Sequence, residues 1–324
     1  MGRVLVTHRL PEGGTDPLVA AGHSIADGFG DAACSAQELS AVADDYDAII
    51  CLLTDPIDES VLKAGSKGRL KAVGNVAVGY NNIDVAAADW LGIAVCNTPG
   101  VLDQTTADLA FLLILAASRL ASEAERDLRA GRWSGWGINQ YLGREVHGSV
   151  LGLLGFGRIG QAVARRADGF GMEVLHHARR RPSADGTAAA SRYVEDLDEL
   201  MRISDIVSVH VPLTAETTHL IGAQQLELLG PNGVLVNTSR GPVVDEAALA
   251  RSLHENQIFA AGIDVYEHEP EMHPELLTAP RTVLLPHIGS ATRETRTRMA
   301  RLACEGVCDI LAGRQPENLV RWRG

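Results

Sequence analysis

The chain has 324 residues, 46% hydrophobic and 22% charged, with 29 Lys and Arg against 41 Asp and Glu, a net charge of −12. That length and apolar content fit a globular protein of about two domains and exclude a disordered chain. The acidic balance disfavours binding to phosphate backbones, and the longest apolar run, 109–117, falls far short of the roughly 20 residues of a membrane span.

Residues 4–7 read as a first strand, with no charged-then-apolar leader before them. Val6 occupies the position where a myristoylation signal has Ser or Thr. Further strands are expected over 48–53, 70–73 and 93–96. Ser35 and Glu38 form a capping box at the start of one helix, and another helix follows Asp84 over 85–90. One long helix is expected over 105–130, stopped by Gly131, and a Gly- and Trp-rich loop follows over 132–148. Strands then recur at 150–154, 173–177, 206–209, 234–238, 260–264 and 283–285. Six strands with intervening helices match a complete dinucleotide-binding fold. The Ala-rich stretch 185–191 reads as a surface loop. The last helix, 291–312, comes after all six strands and is free to cross back onto the first domain.

The alternation predicts an α/β protein of two doubly wound, Rossmann-like parallel-sheet domains with a cleft between them. A discontinuous substrate domain, flavodoxin-like, takes 1–100 plus 290–324, and the Rossmann domain takes 101–289. The five cysteines, Cys34, Cys51, Cys96, Cys304 and Cys308, are odd in number and scattered. They argue against a disulfide scaffold and for a reducing, cytoplasmic setting. Cys304 and Cys308 lack a second ligand pair nearby and are assigned to core packing.

Gly155-Phe156-Gly157-Arg158-Ile159-Gly160 follows an apolar strand and opens a helix, the context a dinucleotide cradle demands. The first glycine makes the tight turn, the second admits a pyrophosphate, and the third packs helix on strand. The helix N-terminus faces the anion. The second strand of such a fold ordinarily ends in an acidic residue that binds the adenosine ribose. Here it ends in Ala178, followed by Arg179, Arg180 and Arg181. Guanidiniums suit a 2′-phosphate, so NADP(H) is favoured over NAD(H), with Arg179 and Arg180 as contacts.

Three polar residues follow three strand ends: Arg240, Glu269 and His287. Ligands of open parallel sheets bind beyond such ends. Arg can bind a carboxylate and polarise a carbonyl, His can carry the proton, and Glu can orient the imidazole. His210 ends a strand on the adenosine side and is expected to line the cofactor cleft. His176 and His177 lie in a strand, one of them buried. His147, His219, His254, His268 and His273 are read as structural or solvated. No cluster has zinc-like spacing, so no metal is expected.

These motifs resemble the D-isomer-specific 2-hydroxyacid dehydrogenases, in particular the glyoxylate/hydroxypyruvate reductase and 2-ketogluconate reductase branch. The resemblance runs over nearly the whole chain. It is carried by Val78-Gly79-Tyr80-Asn81-Asn82-Ile83-Asp84, by the segment from Leu151 to Gly160, by Asn237-Thr238-Ser239-Arg240-Gly241-Pro242-Val243-Val244-Asp245-Glu246, by Gly262-Ile263-Asp264-Val265-Tyr266-Glu267-His268-Glu269-Pro270 and by Pro286-His287-Ile288-Gly289-Ser290-Ala291-Thr292. It implies Arg240, Glu269 and His287 as the catalytic set. It implies that Val78 and Gly79 N–H groups hold the substrate carboxylate, an arrangement that is an anion nest in its own right, and that Ser290, beside the catalytic His, touches the substrate or its nearby water. Implied cofactor contacts are Thr106, Arg158, Ile159, Val211, Pro212, Thr217, Thr238 and Asp264, with Arg240 and His287. The family is usually homodimeric through the long helix and the following loop. Where some hydroxypyruvate reductases carry a Trp in that loop, this chain has Gln140 and Tyr141.

The expected reaction is reduction of glyoxylate, hydroxypyruvate or 2-ketogluconate to the D-2-hydroxy acid. Two alternatives stand beside it. One is a phosphite dehydrogenase on the same scaffold. The other is a non-catalytic dinucleotide sensor like the corepressors that share the fold, against which the charge and the lack of a basic patch count.

Overall fold

The apolar runs pair in parallel into two sheets, each belonging to its own unit. The computed structural model describes residues 1–30, 32–179 and 191–322. Unit one comprises Met1–Leu102 with Ser290–Gly324, and unit two comprises Asp103–Gly289.

In unit one the strands are β1 (Arg3–Val6), β2 (Ser24–Asp27), β3 (Ala48–Cys51), β4 (Ala72–Asn75) and β5 (Ala94–Cys96). Their spatial order is β2-β1-β3-β4-β5, all parallel, with Leu319–Val320 added antiparallel beyond β5. This is the flavodoxin-like order. One sheet face packs Leu5, Ile49, Val73 and Val95 against Leu39, Val61, Leu62 and Ala88 of three short helices. The other face takes the helix Arg293–Leu311. The backbone there comes close enough that a Cβ on Gly74 would meet Val307 and the Ala303 carbonyl. The capping box is present, with Ser35 and Glu38 satisfying each other's backbone N–H.

The helix Asp16–Ala20, β2 and Leu319–Val320 carry weak sequence signals. β2 is an edge strand with a half-exposed pattern, so it shows no apolar run.

In unit two the strands are β6 (Val150–Leu154), β7 (Glu173–His177), β8 (Arg192–Tyr193), β9 (Ile206–Val209), β10 (Val234–Asn237), β11 (Ala260–Ile263) and β12 (Thr282–Leu284). The order is β8-β7-β6-β9-β10-β11-β12, all parallel. The sheet has seven strands where six were expected. The extra β8 is two residues long, too short for any periodicity to register.

Side chains alternate strictly between the faces. Leu151, Leu153, Val234 and Val236 point to the helices Asp103–Ser118 and Arg158–Asp168. Leu154, Leu235, Val207 and Val209 point to Met201, Leu226 and Leu249 on the opposite layer. Both faces are covered, which is why these strands read as continuous apolar runs.

The helix expected over 105–130 is two helices, Asp103–Ser118 and Ala121–Arg129, bent by 67°. Leu120 at the break is left-handed, φ 53°, a conformation that costs a branched residue roughly 1–2 kcal/mol. Burial of Leu120 offsets this. The Arg144 N–H also donates to the Ser118 carbonyl at 2.8 Å, satisfying a group that a continuing helix would have used. Composition gives no warning, because the break contains neither Gly nor Pro. Among the described residues no single helix is long and apolar enough to cross a membrane.

Candidate active site

The glycine cradle forms at the end of β6, beside the end of β9, where the strand order of unit two reverses. Gly155 has φ 98°, and a Cβ there would stand 2.7 Å from the backbone of His210. A Cβ on Gly160 would stand 2.3 Å from the Gly155 carbonyl oxygen. Gly157, at the N-cap of the helix Arg158–Asp168, faces open space and has no side-chain cap. Two glycines thus bring the elements together and the third leaves the helix N-terminus accessible. That geometry fits a dinucleotide pyrophosphate. Arg158 and Ile159 begin this helix, with Arg158 exposed and 3.5 Å from Asp103.

Around the cradle, Ala178 follows β7 and Arg179 beside it is exposed. Arg180 lies outside the described residues, as does nearly all of the expected loop 185–191. His210 follows β9, its Nε2 2.9 Å from Ser208 Oγ, and burial lowers its pKa to about 4. Val211 and Pro212 continue this segment. Thr217 ties it together, donating to the Pro212 carbonyl at 2.7 Å. His176 is buried and its ring stacks on Phe156 at 4.0 Å.

The loops after β10, β11 and β12 bring the three polar residues to one end of the sheet. His287 Nδ1 lies 2.8 Å from Glu269 Oε2, and Glu269 Oε1 accepts from the Tyr266 N–H at 3.0 Å. Burial alone would raise the Glu269 carboxyl. The His287 hydrogen bond and charge outweigh it, helped by Tyr266 and Arg240, and hold it below the usual carboxylate range. Burial works against the Arg240 charge, and the Glu269 carboxylate supports it. Arg240 Nη1 donates to the Ser239 carbonyl at 2.7 Å. No carboxylate lies within 4.0 Å of it among the described residues, so most of its fork is free for an anion.

The His287 backbone is also left-handed, φ 52°, a strained state for a non-glycine residue. Asp264 holds the turn, accepting from Ile288 N–H at 2.7 Å and Gly289 N–H at 2.8 Å. Burial raises the Asp264 carboxyl to about 6, against those donors and the His287 charge. Thr106 packs beside Gly289 and Asp264. The Thr238 hydroxyl at the end of β10 is buried and has no hydrogen-bond partner among the described residues, and a ribose or amide group could satisfy it.

Gly241 and Tyr266, which spacing does not single out, hold this arrangement. A Cβ on Gly241 would stand 1.9 Å from the Tyr266 carbonyl carbon, so only glycine lets the Arg240 and Glu269 loops meet. The Tyr266 hydroxyl donates to the Leu285 carbonyl at 2.9 Å, joining the Glu269 loop to the segment before His287. Both lie inside the quoted motifs, but their function is packing at a distance in sequence, which spacing alone does not reveal.

Val78, Gly79 and Ser290 lie in unit one. There Asn97 Nδ2 donates to the Val78 carbonyl at 2.7 Å and Asn75 Nδ2 to the Gly79 carbonyl at 2.9 Å. The carbonyls are fixed, and the Val78 and Gly79 N–H groups carry no partner among the described residues. The Ser290 carbonyl accepts from the Thr292 N–H at 2.8 Å.

Residues 111–289 match the family described as D-isomer specific 2-hydroxyacid dehydrogenase, NAD binding domain. A glyoxylate reductase of Thermococcus litoralis is 47% identical over 281 residues, covering 85% of this chain and 84% of that protein. A protein of Thermus thermophilus has a crystal structure similar with a TM-score of 0.91 at 39% identity, covering 98% of this chain and 100% of the other. The NADPH-dependent glyoxylate/hydroxypyruvate reductase of Sinorhizobium meliloti, in complex with NADP and malonate, gives a TM-score of 0.86 at 33% identity over 99% of each chain.

Proposed function

The chain belongs to the D-isomer specific 2-hydroxyacid dehydrogenase family and is an NAD(P)-dependent oxidoreductase, and we propose that it reduces a small 2-oxo acid to the D-2-hydroxy acid. Glyoxylate, hydroxypyruvate and 2-ketogluconate are the substrates to test, with NADPH as the preferred donor. The observation that carries this reading is the His287–Glu269 pair, 2.8 Å apart, beside Arg240 on the sheet that bears the glycine cradle.

When bound, the nicotinamide supplies a hydride to the carbonyl carbon. His287 donates a proton to the oxygen that becomes negative. Glu269 stabilises the imidazolium and fixes its ring, so the N–H points away from the Glu269 bond. Arg240 binds the substrate carboxylate and stabilises charge growing on the carbonyl oxygen, where such help counts most. The Val78 and Gly79 N–H groups of unit one are a candidate anion nest in their own right. The NADPH preference is supported by Ala178, which leaves no carboxylate to repel a 2′-phosphate, and by the exposed Arg179 next to it.

The test is steady-state turnover of the three acids with NADPH and with NADH. A large NADPH preference supports the arginine argument, and parity would reduce Arg179 to a solvated loop residue. Absence of turnover on every acid would move weight to phosphite chemistry or to a sensor. His287→Asn is expected to cost on the order of 10² to 10⁴ in kcat with the fold retained. Near-full turnover in that variant would overturn the mechanism.

The homodimer belongs to the same proposal. Leu112, Leu128, Trp133, Trp136, Ile138 and Leu142 are all more than half exposed, an unusual concentration of apolar surface in one stretch of chain. Light scattering should give twice the chain mass.

A further inference from the structure

Unit one buries a polar cluster that the reaction does not use. Thr7 and His8 follow β1, Asp55 closes a turn after β3, and Cys34 precedes the helix Ala36–Ser40. His8, Cys34 and Asp55 are 8%, 6% and 0% exposed. Asp55 Oδ2 accepts from the Thr7 hydroxyl at 2.6 Å and from the Leu52 N–H at 2.7 Å. Asp55 Oδ1 faces His8 Nε2 at 2.6 Å and the Cys34 thiol at 3.1 Å. The other ring nitrogen, His8 Nδ1, lies 3.0 Å from the Gly30 carbonyl oxygen. Both ring nitrogens therefore face acceptors, and a neutral imidazole carries a single N–H. With that N–H on the carbonyl, a positive centre must stand between Nε2 and Oδ1. It is either a second proton or a metal ion.

We propose that His8 Nε2, Cys34 Sγ and Asp55 Oδ1 bind one zinc-class divalent cation, which locks together the segments after β1 and β3 and the segment around Cys34. The three atoms lie within 4.8 Å of one another. An imidazole, a thiolate and a carboxylate form a borderline-soft set that selects zinc over magnesium or calcium. The outer contacts of a metal site are already in place. The Gly30 carbonyl holds the far side of the imidazole, and Thr7 and Leu52 hold the far carboxylate oxygen. Three protein ligands leave the fourth tetrahedral position to water. Zinc bonds of about 2 Å need Nε2 and Oδ1 to spread by roughly 0.8 Å from their hydrogen-bonded separation.

Zinc with a thiolate and a carboxylate is neutral, so the metal-bound cluster buries no net charge, and the thiol proton leaves on binding. Without the ion, burial and then Asp55 push the Cys34 thiol up to about 12, which makes it a poor nucleophile. Spacing gave no hint of this cluster, because His8 and Asp55 are 47 residues apart in the chain.

The test strips the purified full chain with a chelator and titrates it with zinc and with cobalt. The expected result is one ion per chain, proton release on binding, a thiolate-to-cobalt absorption band and a raised Tm. Cys34→Ser should abolish the band and weaken binding about tenfold or more, His8→Asn should weaken it likewise, and Cys308→Ser should leave both unchanged. If Cys34→Ser fails to fold, the band in the unaltered protein and its survival in Cys308→Ser carry the test. Absence of saturable binding, absence of the band, or binding undiminished in Cys34→Ser overturns the proposal. Turnover of 2-oxo acids should be equal with and without the ion, so the two readings fail separately.

Discussion

Between β6 and β9 the chain leaves the strand ends through glycine, and between β1 and β3 it leaves them through threonine and histidine. Both are points where the order of a parallel sheet reverses, and such reversals open a crevice beyond the carboxyl ends of the strands. In unit two, Gly157 leaves open space at a helix N-terminus. In unit one the side chains of Thr7, His8 and Asp55 meet one another and close the crevice. The topology offers a site in both sheets, and side-chain size decides which is open to a dinucleotide.

The largest effect should come from filling the tight side of the open crevice. Gly160→Ala would put a Cβ 2.3 Å from the Gly155 carbonyl oxygen, backbone against backbone. The helix Arg158–Asp168 must then move off the strand. Overpacking of this kind costs roughly 1–3 kcal/mol and displaces the N-terminus that faces the phosphate. Both Tm and NADPH affinity by calorimetry should fall. If both held, the close approach would not be what builds the cradle.

Acid probes the same crevice from behind. Burial holds His210 at about 4, down from 6.5. As pH falls, the unfolded chain therefore takes up this proton first. The contribution to stability is intact above about pH 6.5 and is lost progressively toward about pH 4. Its size is at most about 3 kcal/mol. His210→Gln keeps an amide for Ser208 and removes the titration. Its denaturant midpoint should drop less than that of the parent between about pH 7.5 and about pH 5. Equal drops would show that other groups set the acid limb.

Gly157→Ala sharpens the comparison, because its Cβ meets nothing within 4 Å. The apo protein should keep its Tm. NADPH affinity should weaken about tenfold, about 1.4 kcal/mol, if the backbone there has to approach a pyrophosphate. Unchanged affinity would place the phosphate elsewhere.

Legibility in the sequence followed the range of the interaction. β6 and β9 appear at their expected bounds because strands covered on both faces are largely apolar, and β7 does so although only Val174 and Leu175 in it are apolar. The cradle was readable because three glycines within six residues do local work. The placement of Arg240, Glu269 and His287 after strand ends was readable, but the reason they converge was not. It rests on Gly241 meeting Tyr266, on Tyr266 reaching Leu285 and on Asp264 holding a strained turn at His287. The Leu120 break and the His8–Cys34–Asp55 cluster escaped for the same reason, since each depends on a segment far along the chain.

The smallest effect tests whether the filled crevice is truly outside the reaction. The Thr7 hydroxyl lies 2.6 Å from Asp55 Oδ2 and 3.2 Å from the Ile50 carbonyl. Thr7→Val keeps the shape and removes the donor. The Leu52 N–H still serves Asp55 Oδ2, so the carboxylate is not left bare. The cost should be near that of one net hydrogen bond, about 1 kcal/mol, read as a modest fall in Tm. Turnover at a temperature where the variant is folded should match the parent, because no group of this cluster is assigned to the substrate or to the cradle. A large fall in kcat/KM with Tm preserved would mean that closing this crevice shapes the site after all. The contrast between an open sheet end and a filled one would then fail as a guide to where this chain does its chemistry.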